Sequence, residues 1–287
     1  MTPDIRLRLQ ALGPDLTMDM MRETQAIFAA VAAEPDADVL VDRDFAYGPH
    51  ERHRLDIFRK PETNGAPMLV YVHGGGFVMG DKRSPDLPFY DNVGRFAARY
   101  GMVGVTLTYR LAPASTWPSG PDDMALAVEW LRANAAQHGG DPDRIFLIGQ
   151  SAGAVHVASY VAHREARIAG ALMISCIYDV ATAHANQFHK AYYGEDETAY
   201  PAASTTTGLI ASGIPLLCSV SEFDVPDFQK QAAAFVGEWG AAKQAYPRML
   251  WLEGHNHLSP ALAIGSPVDT LGPEILNFIA ATTAQES

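Results

Sequence analysis

The chain has 287 residues, 48% of them hydrophobic and 19% charged, with a formal net charge of -12. That apolar content excludes a disordered chain and suits one large α/β domain, or at most two small ones. The negative charge argues against nucleic acid and anionic membranes as partners, because both are polyanions.

In chain order, residues 1–35 read as helical, with Leu16, Met20, Ile27 and Val31 at helical spacing. The polar stretch Glu34–Asp38, containing Pro35, reads as a connection. Met68–Val72 is a short apolar run ending in glycines, as a buried strand does. Met102–Tyr109 is a second strand. Asp122–Ala136 has helical periodicity and stops before Gly139–Gly140. Ile145–Ile148 is a third core strand, followed at once by the helix Ala152–His163. Gly170–Ser175 and Pro215–Val220 are strands, Pro226–Trp239 a helix, Met249–Leu252 the last strand, and Pro273–Ile279 begins the last helix. Strands alternating with helices imply βαβ units and a mostly parallel sheet covered on both faces. Ala181–Gly208 breaks this alternation and, with the N-terminal helices, is expected to cap the sheet's carboxyl edge.

Cys176 and Cys218 both lie in apolar runs, as buried free thiols do, and two cysteines cannot build a disulfide scaffold. The N-terminal stretch MTPDIRLRLQALGPD lacks the uninterrupted apolar segment of a secretory signal. No run approaches the roughly 18 apolar residues that span a bilayer. The expectation is a cytoplasmic protein.

Two motifs carry chemistry. Gly149-Gln150-Ser151-Ala152-Gly153 sits between a strand and a helix, the context of a nucleophile elbow. The tight turn leaves no room for side chains two residues either side of the serine. It also aims the N–H of Ala152, beside a positive helix N-terminus, at the substrate oxygen. Alone, GxSxG arises by chance in about one protein in ten. His73-Gly74-Gly75-Gly76-Phe77, directly after the strand Met68–Val72, is far rarer. Three successive glycines let backbone N–H groups approach a developing oxyanion closely. A phosphate-cradling role would call for GxxxxGK[ST] or GxGxxG, and neither pattern is there.

A serine needs a base, and the base a carboxylate, in the chain order Ser, Asp/Glu, His. After the strand Pro215–Val220 comes Ser221-Glu222-Phe223-Asp224, and after Met249–Leu252 comes Glu253-Gly254-His255-Asn256-His257. Asp224 is preferred over its rival Glu222, although it could equally cap the following helix. His255 and His257 are both candidates for the base. The other eight histidines have no comparable position; His73 belongs to the glycine loop and the rest read as ordinary surface or helix residues.

HGGGF at 73–77, Tyr109-Arg110-Leu111-Ala112-Pro113, the helix 122–130 and GQSAG at 149–153 together resemble the bacterial hormone-sensitive-lipase-like esterases of the α/β-hydrolase superfamily, over roughly residues 45–280. The resemblance implies the α/β-hydrolase fold, with Ser151 as nucleophile, Asp224 as acid, and Gly75, Gly76 and Ala152 as oxyanion hole. It also implies that the base is the histidine three residues after Gly254, His257 rather than His255. The family builds its cap from N-terminal helices, which assigns residues 1–40 to a cap segment, 41–287 to the catalytic domain and 181–208 to a candidate cap insertion. The chain departs from the family in having Gln150 where an aspartate is usual and Ala114 where a glutamate is usual. The ending GHNHLS also resembles small esterases and kynurenine-formamidase-like hydrolases.

The expected function is hydrolysis of small to medium neutral carboxylic esters through an acyl-enzyme, with no cofactor and no metal. The alternatives are an amidase or arylformamidase with the same triad, and a non-catalytic ligand-binding protein on the same scaffold. The expected partner is a small-molecule ester, with no nucleic acid or membrane; a homodimer is compatible with the sequence. Met18, Met20 and Met21 either line an adaptable pocket or form cap core, and Phe77, Trp117 and the stretch 181–200 are expected to border the site.

Overall fold

The computed structural model describes residues 1–284. Two N-terminal helices, α1 (Pro3–Leu12) and α2 (Met18–Ala29), are separated at Gly13-Pro14 and opened by Thr2 and Thr17, whose hydroxyls accept the N–H groups of Ile5 and Met20. Strands β1 (Leu40–Ala46), β2 (Arg54–Arg59) and β3 (Ala66–Val72) follow, then α3 (Asp91–Arg99), β4 (Val103–Leu107), α4 (Ser119–Asn134), β5 (Gly140–Gln150), α5 (Ala152–His163) and β6 (Gly170–Ile174). Three short helices, α6 (Gln187–Tyr193), α7 (Tyr200–Ala203) and α8 (Thr206–Ala211), occupy the stretch in which the alternation lapses. The chain ends with β7 (Leu216–Phe223), α9 (Pro226–Lys243), β8 (Met249–Asn256), α10 (Ser259–Ala263) and α11 (Gly272–Thr283).

The eight strands form one sheet in the order β1-β2-β4-β3-β5-β6-β7-β8. Pairs β1–β2 and β2–β4 are antiparallel and all others parallel. The parallel strands are buried on both faces, so their apolar runs are continuous rather than alternating. Met68, Val70 and Val72 of β3, with Ile145 and Leu147 of β5, face the core under α4 and α5. Leu69, Tyr71, Phe146 and Ile148 face the opposite core, under α3 and α11. The strands β1 and β2 and the helix α3 add to the elements read from sequence. No helix among the described residues is long and apolar enough to cross a membrane.

The order β4-β3-β5 is what creates a site. The chain leaves β3 for one side of the sheet and returns to β5 on the other, so the connections diverge and open a crevice beyond the carboxyl ends of β3 and β5. In register, Val72 stands opposite Gly149, which sets the glycine loop and the elbow side by side.

Candidate active site

Ser151 lies between the end of β5 and the start of α5 with φ 55° and ψ −122°, a conformation costing of the order of 1–3 kcal/mol for a residue with a side chain. The turn survives because its flanks are glycine. A Cβ on Gly149 would lie 2.4 Å from the carbonyl oxygen of Gly153, and one on Gly153 would lie 2.2 Å from that of Val72. The N–H of Ser151 extends the ladder to the carbonyl of Ile174, which fixes the bend to the sheet.

Strands β5 to β8 are successive neighbours, and adjacent strands lie about 4.8 Å apart, so residues at their carboxyl ends are within reach of each other. Ser151 Oγ is 2.8 Å from His257 Nε2, and His257 Nδ1 is 2.6 Å from Asp224 Oδ1. A carboxylate can only accept, so Nδ1 carries the proton and the Nε2 lone pair faces the hydroxyl, the tautomer a general base requires. Asp224 is buried, and four donors offset its loss of water: His257 Nδ1–H and the Val225 N–H on Oδ1, and the Ser175 hydroxyl and the Ser221 N–H on Oδ2. Phe228 covers the imidazole at a ring-centroid distance of 4.5 Å.

The rivals have other work. Both nitrogens of His255 are engaged, Nδ1 with Ser259 Oγ at 2.9 Å and Nε2 with Thr270 Oγ1 at 2.7 Å, and burial pushes its pKa down to about 3. Glu222 accepts from Arg6 at 2.6 Å and from the N–H of Gly254 at 2.7 Å, tying the acid loop to the histidine loop.

The loop after β3 turns on Gly75 (φ 130°) and Gly76 (φ 57°). A Cβ on Gly75 would sit 2.0 Å from the Met79 carbonyl oxygen. The Gly75 carbonyl is consumed by the N–H groups of Val78 and Met79. Among the described residues, the N–H groups of Gly75, Gly76 and Ala152 find no acceptor, which leaves them free for a ligand oxygen. His73 supports the loop from below. Burial lowers its pKa to about 4, its Nδ1–H donates to the Gly74 carbonyl at 2.6 Å, and its ring stacks on Tyr109. Gln150 donates from Nε2 to the carbonyl of His257 at 3.0 Å.

Ser151 opens into a cavity of about 330 Å³. Its apolar wall includes Leu16 and Met21 from the N-terminal segment together with Phe77, Met79, Phe188 and Phe228. Gln25, His184, Asn186, His189 and Asp227 add polar groups, and among the described residues no lysine or arginine lines it. Of Met18, Met20 and Met21, Met21 lines the cavity, Met20 is core and Met18 is exposed. Trp117 does not border the cavity; it packs against Val180 and Tyr200.

Several residues outran the sequence reading. Ser175, at the end of β6 beside Asp224, carries no motif; its signal is a polar residue directly after an apolar strand. The expectation of ordinary surface or helix histidines is corrected for His53, which is buried outside any helix; His156 and His189 are helix residues as expected, and both are buried. His53 pairs with Asp123 at 3.0 Å, and His156 sits among Phe77, Tyr109 and Tyr192. The thiols of Cys176 and Cys218 are free and buried, which pushes both pKa values up, to about 12 for Cys218.

Comparison with known proteins bears on the family and the fold. A probable carboxylic ester hydrolase of Mycobacterium tuberculosis is 36% identical over 129 residues, 44% of this chain and 29% of that protein. A carboxylesterase from the same organism is 43% identical over 88 residues, 30% of this chain and 26% of that one. The matched stretch thus spans less than a third of these curated relatives. Among solved structures, esterase B from Lactobacillus rhamnosis superposes with a TM-score of 0.77 at 16% identity, covering 99% of this chain and 96% of that one. An esterase from the bacterial hormone-sensitive lipase family superposes at 0.69 and 21% identity over the whole of both chains. At these identities the likeness speaks for the fold. The model of the alpha/beta hydrolase fold family matches residues 69–245, from β3 through the elbow to the end of α9, and the chain belongs to that family.

Proposed function

We propose that the protein is a serine hydrolase of the hormone-sensitive-lipase-like kind, cleaving small to medium neutral carboxylic esters. Ser151 attacks the ester carbonyl while His257 Nε2 takes its proton, and Asp224 orients the imidazole and stabilises its cationic form. The N–H groups of Gly75, Gly76 and Ala152 receive the oxyanion; one such donor is worth about 10²–10³ in kcat. His257 then activates a water that releases the acid from the acyl-serine. The alcohol leaves first, with the proton His257 had taken, so no metal or cofactor enters any step. Residues 1–40 act as a cap and 41–287 as the catalytic domain, with 181–208 supplying further wall.

The observation that carries this reading is the unbroken relay Ser151 Oγ–His257–Asp224 at 2.8 and 2.6 Å beside unpaired backbone donors. The size of the cavity, about 330 Å³, favours small and medium acyl or alcohol groups. A wall with a carboxylate and no lysine or arginine favours neutral over anionic esters. The esterase names of the relatives point the same way. The test is Ser151→Ala assayed on p-nitrophenyl butyrate, with fluorophosphonate labelling of the unmodified protein. Turnover should fall by about 10⁴-fold or more, and labelling should require Ser151. An N-formyl arylamide in the same assay tells an amidase from an esterase. Retention of turnover by the alanine variant would end the proposal.

A further inference from the structure

The loop carrying His257 is fastened to the N-terminal helices on both sides. Asn256, immediately before the imidazole, is fully buried, and its side chain organises the loop: Oδ1 accepts the N–H groups of Leu258 and Ser259 at 3.2 and 3.1 Å. Its own N–H donates to Ser259 Oγ at 3.0 Å. The amide nitrogen then reaches out of the loop and donates to Thr24 Oγ1 of α2 at 2.8 Å. On the other side, the N–H of Gly254 is held by Glu222, whose second oxygen is held by Arg6 of α1. Thr24 is itself fully buried in mid-helix, a position where a β-branched, polar residue is poorly suited and an apolar one would pack at less cost.

We propose that Thr24 is a positioning residue for His257, acting through Asn256, so that the N-terminal helices set the imidazole as well as walling the cavity. The inference rests on the reading of Ser151, His257 and Asp224 as the reacting groups. Asn256 has spent its oxygen and its backbone N–H inside the loop, so its amide nitrogen registers the loop against α2, through Thr24 Oγ1 at 2.8 Å and the weaker thioether acceptor Met20 Sδ at 3.6 Å. Without the Thr24 oxygen, the amide keeps only the weak Met20 thioether or rotates to find a better partner. Rotation moves the peptide it shares with His257. A displacement of about 1 Å at a reacting group can cost on the order of 10²-fold in rate. Leu16, Met21 and Gln25 line the cavity from the same segment, so docking of these helices and competence of the base are a single state.

The experiment compares Thr24→Val, which keeps the shape and loses the acceptor, with Thr24→Ser, which keeps the acceptor. Both are assayed for kcat and KM on p-nitrophenyl butyrate, and for the rate of fluorophosphonate labelling, well below their unfolding temperatures. Thr24→Val should lose on the order of 10-fold in kcat and in labelling rate, with KM within about twofold. Thr24→Ser should recover most of the loss. If Thr24→Val does not fold, Thr24→Ala carries the same expectation, with Thr24→Ser again as the rescue. Wild-type kcat and labelling rate in the valine or alanine variant, with only a lower unfolding temperature, would overturn the inference and leave the proposed esterase standing. Absence of both ester turnover and labelling in the wild type would instead refute the reading on which it depends.

Discussion

Acidification should unfold this protein through three histidines that the fold keeps neutral. His156 and His255 have pKa values pushed down to about 3, and His73 to about 4, in each case first by burial; His73 in turn disfavours charge on His156. Their ordinary value is 6.5, so in the unfolded chain all three take up protons as the pH falls through that value, while the folded chain does not. Between those limits the unfolded state binds more protons. Stability is therefore complete above about pH 7 and is lost as the pH drops towards the folded values. At about pH 5 each histidine has crossed roughly 1.5 units, worth about 2 kcal/mol at about 1.4 kcal/mol per unit, or about 6 kcal/mol for the three. That is comparable with the whole net stability of a typical domain, about 5–15 kcal/mol. Urea unfolding at about pH 7.5, 6 and 5 measures the loss as a falling midpoint. His156→Leu isolates one contribution, because among the described residues neither ring nitrogen of His156 has a hydrogen-bond partner to give up. It should hold its stability near neutral pH and show about a third less loss at about pH 5. A stability independent of pH over this range, or a His156→Leu protein with the full wild-type slope, would refute the argument.

The two acidic residues at the carboxyl end of β7 should separate cleanly in kinetics. Asp224→Asn leaves His257 without the partner that selects its tautomer and should lower kcat by roughly 10⁴-fold, while Glu222→Gln, which keeps an acceptor for Gly254, should change kcat/KM by less than about fivefold. The reverse ranking on p-nitrophenyl butyrate would reassign the acid. Gly153→Ala should cost more than about 3 kcal/mol, because its Cβ would stand 2.2 Å from the Val72 carbonyl and 2.5 Å from that of His73, both backbone atoms of the neighbouring strand end. A thermal unfolding temperature within a few degrees of wild type would show that the elbow has slack which these close approaches deny it.

The chemistry was legible in sequence because each piece is local. An apolar run announces a buried strand, and the residues directly after the run form the strand's carboxyl end and the turn that leaves it: HGGGF after β3, and GQSAG, SEFD and GHNH across the ends of β5, β7 and β8. Right-handed crossovers set parallel strands side by side and pointing the same way, so all four loops must gather along one edge. The edge strand β1 and its neighbour β2 escaped, since Asp56 breaks the apolar pattern of β2 and is buried where Arg43 and Lys82 reach it, at 2.7 and 3.0 Å, from other parts of the chain. Helix α3 is polar over half its length and carries no start signal that stands out.

Sequence by itself therefore determined the fold class, the elbow serine, the glycine loop and the two loops that had to supply acid and base. It preferred Asp224 over Glu222 from chain order, and left His255 against His257 to a family resemblance. Residues two apart in one loop have the same neighbours in sequence, and only the path of the backbone decides which side chain turns toward Ser151. The tertiary structure made that decision through long-range hydrogen bonds: His255 to Thr270, Glu222 to Arg6, Ser175 to Asp224, and Thr24 to Asn256 across 232 positions. Such contacts leave no periodicity behind, because each joins two residues whose separation along the chain is set by everything folded in between.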